Sequence, residues 1–232
     1  MIDLSRRNGR MLRIGHRGAA ALAPENSLES IALAVELGCD LVEFDVHQVD
    51  GALLVAHDEP LEAGALPTLD DVLGYLAGTE AGVHLDLKST GAETAVAAAL
   101  RGHGLVGRTL VSSSRRGTLR RLHAVEPALR LGRTYPQDRT GLTKRPVFHP
   151  PARAIVRGLR LALPRWIDRL LAGSSATAAV LYWEVISEPV VGRCHALGAP
   201  VLAWTVDDPE VLHWLERAGV DGVVTNDPRI FA

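Results

Sequence analysis

Short apolar runs alternate with stretches of helical spacing along nearly the whole chain, and this alternation narrows the possible folds more than any other feature. Met11 to Gly15, Asp40 to Val46, Leu53 to His57, Gly82 to Leu87, Thr109 to Ser113, Leu129 to Thr134, Ala178 to Trp183, Pro200 to Val206 and Gly222 to Thr225 read as strands. Between them, Ser27 to Leu37, Leu69 to Leu76, Ala92 to Gly102, Gly117 to Val125, Glu188 to Leu197 and Asp208 to Ala218 carry helical spacing. Such alternation predicts a parallel sheet, and this many repeats predicts closure into an α/β barrel of the TIM (β/α)8 type. A length of 232 residues, 47% of them hydrophobic, fits a single barrel domain spanning 1–232.

Helix starts locate the strand ends that matter. Asn26 or Ser27 is expected to cap the first helix, with Glu29 close behind, and Asp207-Asp208-Pro209-Glu210 opens the last with acids and a proline. Residues just before such starts lie at the C-terminal ends of strands, the face of a barrel where active sites form.

The stretch from Tyr135 to Thr177 is too long for an ordinary connection and predicts an extra helical segment between the fifth and sixth barrel strands. It carries Arg145, Arg153, Arg157, Arg160, Arg165 and Arg169 beside Ile155, Val156, Leu159, Leu163, Trp166, Leu170 and Leu171. Arg153, Arg157 and Arg160 share a helical face. Two readings stay open: an added barrel helix with a solvated basic side and a break at Pro164, or an interfacial helix that meets anionic lipid through residues 150–171.

A formal charge of −2 gives no overall basic field, so nucleic acid is not an expected partner. Met1 to Arg10 has charge but no apolar h-region behind it, and no run of about 18 apolar residues follows. The expectation is a cytoplasmic protein, at most peripheral at a membrane. Cys39 and Cys194 lack metal-ligand or redox spacing and read as buried small hydrophobes.

In Leu41-Val42-Glu43-Phe44-Asp45-Val46 the two carboxylates are two residues apart, so both face the barrel interior. Buried acids need compensation, either an arginine or a divalent cation, and hard oxygen donors favour Mg²⁺ or Ca²⁺. In Val83-His84-Leu85-Asp86-Leu87-Lys88, Asp86 offers a third oxygen ligand and Lys88, one of only two lysines, offers a charge for phosphate. Ile14-Gly15-His16-Arg17-Gly18 ends the first strand with a proton-transfer residue and a planar fork for phosphate. Val55-Ala56-His57-Asp58 supplies a second histidine at the end of an apolar run. His103, His123, His195 and His213 fall on helices and read as surface or packing residues.

These residues resemble the glycerophosphodiester phosphodiesterase family of TIM-barrel enzymes. The resemblance runs through Gly15-His16-Arg17-Gly18, Pro24-Glu25-Asn26-Ser27, Glu43-x-Asp45-Val46, His57-Asp58 and Asp86-Leu87-Lys88. It continues to Trp204-Thr205-Val206-Asp207 and to the segment from Gly219 to Pro228. It implies metal-dependent hydrolysis of glycerophosphodiesters to glycerol 3-phosphate and an alcohol. His16 and His57 would be the acid/base pair, Glu43, Asp45 and Asp86 the metal ligands, and Arg17 and Lys88 the phosphate holders. Trp204 would wall the glycerol or the leaving group, and Asn26 would border the site while capping the first helix.

The chain departs from the family pattern in four respects, the second of them a pair of positions. Asp86 replaces the usual Glu, Asn226 and Asp207 stand where Asp and Asn are common, and Ser114 replaces an aromatic after Ser112-Ser113. Only Glu59 to Pro67 separates His57-Asp58 from Thr68, where the family usually inserts a small subdomain, so a more open mouth is expected there. That opening suits a lysophospholipid as well as a small diester, which makes lysophospholipase D action the nearest rival. A phosphate-ester binding protein impaired through Asp86 and Asn226 is a reading of another class. An unrelated barrel such as a sugar-phosphate isomerase leaves His57-Asp58 and the paired carboxylates unexplained.

Overall fold

The structure, a computed structural model, describes residues 1–57, 66–136 and 149–232, with side chains from 154 onward in the last stretch. Asp58, most of the Glu59 to Pro67 connection, Arg145 and the side chain of Arg153 lie outside the described residues. The strands are β1 (Leu12–Gly15), β2 (Leu41–Val49), β3 (Ala52–Val55), β4 (Gly82–Leu87), β5 (Thr109–Ser113), β6 (Arg130–Tyr135), β7 (Ala178–Tyr182), β8 (Val201–Trp204) and β9 (Gly222–Thr225). The helices are α1 (Leu28–Glu36), α2 (Leu69–Ala77), α3 (Glu93–Gly102), α4 (Arg116–Val125), α5 (His149–Ala162), α6 (Ile167–Ala172), α7 (Glu188–Ala196) and α8 (Pro209–Arg217).

All the strands except β3 pair in parallel, and β1 closes the circle by pairing with both β2 and β9. The result is the expected eight-stranded barrel. β3 departs from the expected alternation: it runs antiparallel to the far end of β2, in register Val46 to Val55 and Val49 to Ala52. Asp50 and Gly51, both at positive φ, form the two-residue hairpin turn. The run ending in His57 is therefore a flap on β2 and no barrel strand. It brings His57 back to the barrel mouth.

Period-two alternation sorts the strand residues between two environments. Outward residues such as Val42, Phe44, Leu85, Val111 and Leu131 join Ile31, Leu73 and Val96 of the helices in one shell cluster, while Leu181, Ala203 and Val223 join Val190 and Leu215 in another. Inward residues Leu12, Ile14, Leu41, Leu110, Val180, Leu202 and Val224 fill the barrel with Ile2 and Leu4. Ile2 reaches the start of β4, where its Cδ1 lies 3.0 Å from the place a Cβ on Gly82 would occupy. The N-terminal segment thus plugs the lower end, and full burial of Leu4 contributes about 2 kcal/mol.

Following the same inward face toward the strand C-termini, the side chains turn polar: Glu43 and Asp45 on β2, His84 and Asp86 on β4, Ser112 on β5 and Thr134 on β6. Gly132 makes room beneath them, since a Cβ there would sit 2.8 Å from Cγ2 of Val180. Tertiary closure therefore gives an apolar floor and a polar mouth.

Helix starts obey local chemistry. Ser27 caps α1 by accepting from the Ser30 N–H, and Thr68 and Asp71 form a reciprocal capping box on α2. In the long segment, Leu163-Pro164-Arg165 forms a 3-10 turn between α5 and α6. Arg160 is half-buried there, its guanidinium 4.9 Å from the Trp214 ring centre on α8. No helix among the described residues is long and apolar enough to cross a membrane.

Candidate active site

β2 and β4 pair with Asp45 opposite Asp86, so the two inward acids lie side by side. Lys88, two residues beyond Asp86, turns back between them, with Nζ 2.8 Å from Asp45 Oδ1 and in hydrogen-bond contact with Asp86 Oδ2. Burial favours a neutral Lys88, but Asp86, Asp45 and Glu43 more than offset it and raise the pKa of the lysine.

Asp45 is only 1% exposed. Its burial would raise its pKa, yet Lys88 and Arg17, with a smaller contribution from His57, prevail and hold it at about 2. Arg17 Nε lies 3.2 Å from Asp45 Oδ2, but its N–H does not point along the line to that oxygen. The other arm of the fork binds Glu25 at 2.6 Å. Arg17 sits at φ 50°, an uncommon conformation for a side chain of its size, and is held there by bonds around it. Its N–H donates to Glu43 Oε2 at 2.9 Å, and its carbonyl accepts from the Asn26 N–H and the Ser30 hydroxyl. Gly18 follows at φ 82°, where a Cβ would strike the Ser30 backbone at 2.4 Å.

Asn26 has a different task from the expected cap. Ser27 caps α1, while Asn26, 3% exposed and at φ 58°, accepts the Asp45 backbone N–H at 3.1 Å and donates Nδ2 to Asp45 Oδ2 at 3.2 Å. It clamps both the main chain and the carboxylate of one acid, and so does border the site.

His16 is oriented from behind. Its Nδ1 lies 2.7 Å from Asn226 Oδ1, while Asn226 Nδ2 donates to Asp207 Oδ2 at 2.6 Å and its backbone N–H to Asp207 Oδ1 at 2.8 Å. With the amide hydrogens committed to Asp207, the amide oxygen faces His16 and can only accept. The proton therefore sits on Nδ1, and Nε2 is left with a lone pair, 3.9 Å from Glu43 Oε2. Burial and the charge of Arg17 lower the pKa of His16, which keeps it neutral and basic at Nε2 near pH 7.

His57 follows the flap strand. Ala56 donates its N–H to the Asp45 carbonyl at 3.2 Å, and His57 is close enough for its charge to act on Asp45. On the opposite wall, Trp204 donates Nε1 to the Val180 carbonyl and packs 5.5 Å from Tyr182, forming a half-buried aromatic surface. The structure thus brings His16, Arg17, Glu43, Asp45, Asp86 and Lys88 together, puts His57 within electrostatic reach and sets Trp204 on the rim.

Several supporting residues had not been singled out. Asp86 Oδ1 accepts from Ser112 at 2.7 Å and from Thr134 at 3.3 Å, and Ser112 also meets buried His84 at 3.0 Å. Burial lowers the His84 pKa to about 4, so it is a neutral prop. Hydroxyls at inward positions of β5 and β6 were the available signal.

Among the described residues, no three His, Cys, Asp or Glu side chains converge tightly enough to hold a metal ion in this arrangement. The donor set nonetheless fits one. Three carboxylates face two cations, and Glu43, fully buried and repelled by Asp45, has its pKa raised well above the usual glutamate value. A carboxyl so placed lacks positive charge, and its oxygen chemistry suits a hard divalent ion.

The fold and site define an eight-stranded α/β barrel of the enzyme class that gathers buried carboxylates, an oriented histidine and two cationic side chains at the strand C-termini. The sequence pattern of the glycerophosphoryl diester phosphodiesterase family matches residues 16–75 and 85–230, and the chain belongs to that family. A glycerophosphodiester phosphodiesterase of Caldanaerobacter subterraneus subsp. tengcongensis is 28% identical over 94% of both chains. Among solved structures, an Oleispira antarctica phosphodiesterase in complex with the product sn-glycerol-3-phosphate superposes with a TM-score of 0.73 at 23% identity, covering 93% of each chain. A glycerophosphodiester phosphodiesterase from Agrobacterium tumefaciens gives 0.71 at 24% identity, covering 95% of this chain and 98% of that one.

Proposed function

We propose that the chain hydrolyses glycerophosphodiesters to glycerol 3-phosphate and an alcohol, with His16 as general base, His57 as general acid and a divalent ion in the acid cluster. The observation that carries this reading is the orientation of His16: its tautomer leaves Nε2 basic, on the side of Glu43. Family membership and the product complex of the Oleispira relative support the substrate class.

Glu43, Asp45 and Asp86 are the residues that would hold Mg²⁺ or Ca²⁺. Once bound, such an ion supplies Lewis acidity toward a phosphoryl oxygen and acidifies a neighbouring hydroxyl. Arg17 and Lys88 then turn from the carboxylates toward the phosphate and fix the substrate. His16 Nε2 removes the proton of a glycerol hydroxyl, whose oxygen attacks phosphorus, while His57 protonates the departing alcohol oxygen as its bond to phosphorus breaks. Water opens the resulting cyclic phosphate with the roles reversed: His57 takes a proton from the water and His16 returns one to the glycerol oxygen. Trp204 and Tyr182 offer an apolar wall for glycerol or for the leaving group.

A second reading uses the same site on lysophospholipids. It is favoured by Ile155 and Leu161 of α5, 61% and 74% exposed, on a helix that also carries Arg157 and leads to Arg165. Here the chain would work in the cytoplasm with peripheral membrane contact through residues 150–171. Comparing turnover of glycerophosphocholine with lysophosphatidylcholine, with and without Mg²⁺ or Ca²⁺, tests both. Release of glycerol 3-phosphate from the former supports the first reading, and an acyl-chain preference supports the second.

A further inference from the structure

Outside the barrel wall, beyond the ends of β5 and β6, Ser114, Arg115, Arg116, Arg133, Trp166 and Arg169 line a cleft of about 640 Å³. Among the described residues, no carboxylate lines it. Arg115, Arg116 and Arg169 are exposed, and no described carboxylate pairs with any of the three guanidiniums. Acids of neighbouring helices are committed elsewhere: Glu93 to Arg121 at 2.7 Å and Asp168 to Arg193 at 3.0 Å.

The cleft is built as well as charged. Arg133 is aimed by hydrogen bonds to the carbonyls of Ser113 and Ser114. Arg116 lies against Gly173, where an added Cβ would sit 3.5 Å from its Cδ. Trp166 is fixed edge-on to Tyr135 at 5.2 Å and provides a flat apolar side. α4 starts at Arg116 without a side-chain cap, which adds the positive end of a helix dipole to the guanidiniums.

Strand alternation separates this cleft from the acid cluster. Ser112 and Thr134 point inward to Asp86, whereas Arg133, between Gly132 and Thr134, points outward. An anion in the cleft would therefore sit across the barrel wall from the reacting phosphate. Several guanidiniums in one cleft repel one another, and a phosphate dianion relieves that repulsion while accepting their planar N–H forks.

We infer that this cleft is a second anion site, which takes a phosphate group on a molecule or surface other than the substrate in the barrel mouth. The phosphate belongs either to a soluble phosphate ester or to a lipid headgroup, and Trp166 packs against whatever carries it.

The test compares the full-length protein with the Arg116→Gln/Arg169→Gln double variant. Binding of inorganic phosphate is followed by calorimetry, and cosedimentation uses phosphatidylcholine vesicles doped with phosphatidic acid. The variant is expected to fold and to turn over glycerophosphodiesters like the parent, because among the described residues neither arginine has an ion-pair partner or contacts the acid cluster. Loss of one phosphate-binding event, at least about tenfold in affinity, assigns the cleft to soluble phosphate esters. Loss of vesicle binding alone assigns it to lipid headgroups. Identical phosphate and vesicle binding by the two proteins overturns the proposal, as does a loss of turnover that parallels the loss of binding.

Discussion

Asp207 Oδ2 accepts an amide hydrogen of Asn226 at 2.6 Å, and this bond turns the amide oxygen of Asn226 onto Nδ1 of His16 at 2.7 Å. The pair stands where the family often has Asn and Asp in the opposite order. A carboxylate still orients the histidine, but it acts from one residue further away and through a neutral amide.

That arrangement predicts how the pH profile responds to Asn226→Asp. A carboxylate directly against His16 stabilises the imidazolium and raises the His16 pKa. A base with a raised pKa stays protonated to higher pH, so the acidic limb of kcat/KM should move upward. The single variant also sets two carboxylates against each other, so the exchange variant Asp207→Asn/Asn226→Asp should recover activity that the single variant loses. An unmoved acidic limb in both variants would count against His16 as the base.

Buried Glu43 predicts a trade between stability and function. Its raised pKa means that the folded protein binds this proton more tightly than the unfolded chain does. Glu43 therefore lowers metal-free stability progressively as pH rises from the unfolded value toward the folded one. Glu43→Gln should raise the unfolding free energy of the chelator-treated protein at pH 8 by roughly 1 kcal/mol or more, with a smaller gain at pH 5, and should abolish activity. A gain that does not depend on pH would remove the charge explanation.

Metal binding at that carboxyl should release a proton. Calorimetric titration with Mg²⁺ or Ca²⁺ in buffers of different ionisation enthalpy should show up to about one proton released per ion, and affinity that rises with pH. Chelator should abolish activity and either ion restore it. Full turnover in excess chelator would contradict a bound divalent ion.

Asp86→Glu restores the length common in the family. If Asp86 contacts the ion, the longer side chain should tighten metal binding with activity retained. Unchanged affinity would leave Asp86 the task seen in the structure, anchoring Lys88 with help from Ser112 and Thr134.

Much of this architecture was legible because local rules survive in it. Period-two alternation put Glu43 beside Asp45 and Asp86 beside Lys88 on inward faces, and barrel closure did not disturb either pair. The apolar run that leads to His57 reads as a barrel strand, while Asp50-Gly51 turns it into an antiparallel flap. Asn26 looked like a cap because it precedes α1, yet its left-handed backbone points it at Asp45, 19 residues away. The Asp207–Asn226–His16 chain joins the ends of β8, β9 and β1, which become neighbours only when the barrel closes. No sequence window holds that information.

The most direct measurement is glycerol 3-phosphate release from glycerophosphocholine with Mg²⁺ or Ca²⁺ by the parent protein and by His16→Ala and His57→Ala. Release by the parent and a fall of roughly 10²–10⁴-fold in each variant are expected. No release by the parent with either ion, or parental rates in either histidine variant, would contradict the proposed mechanism.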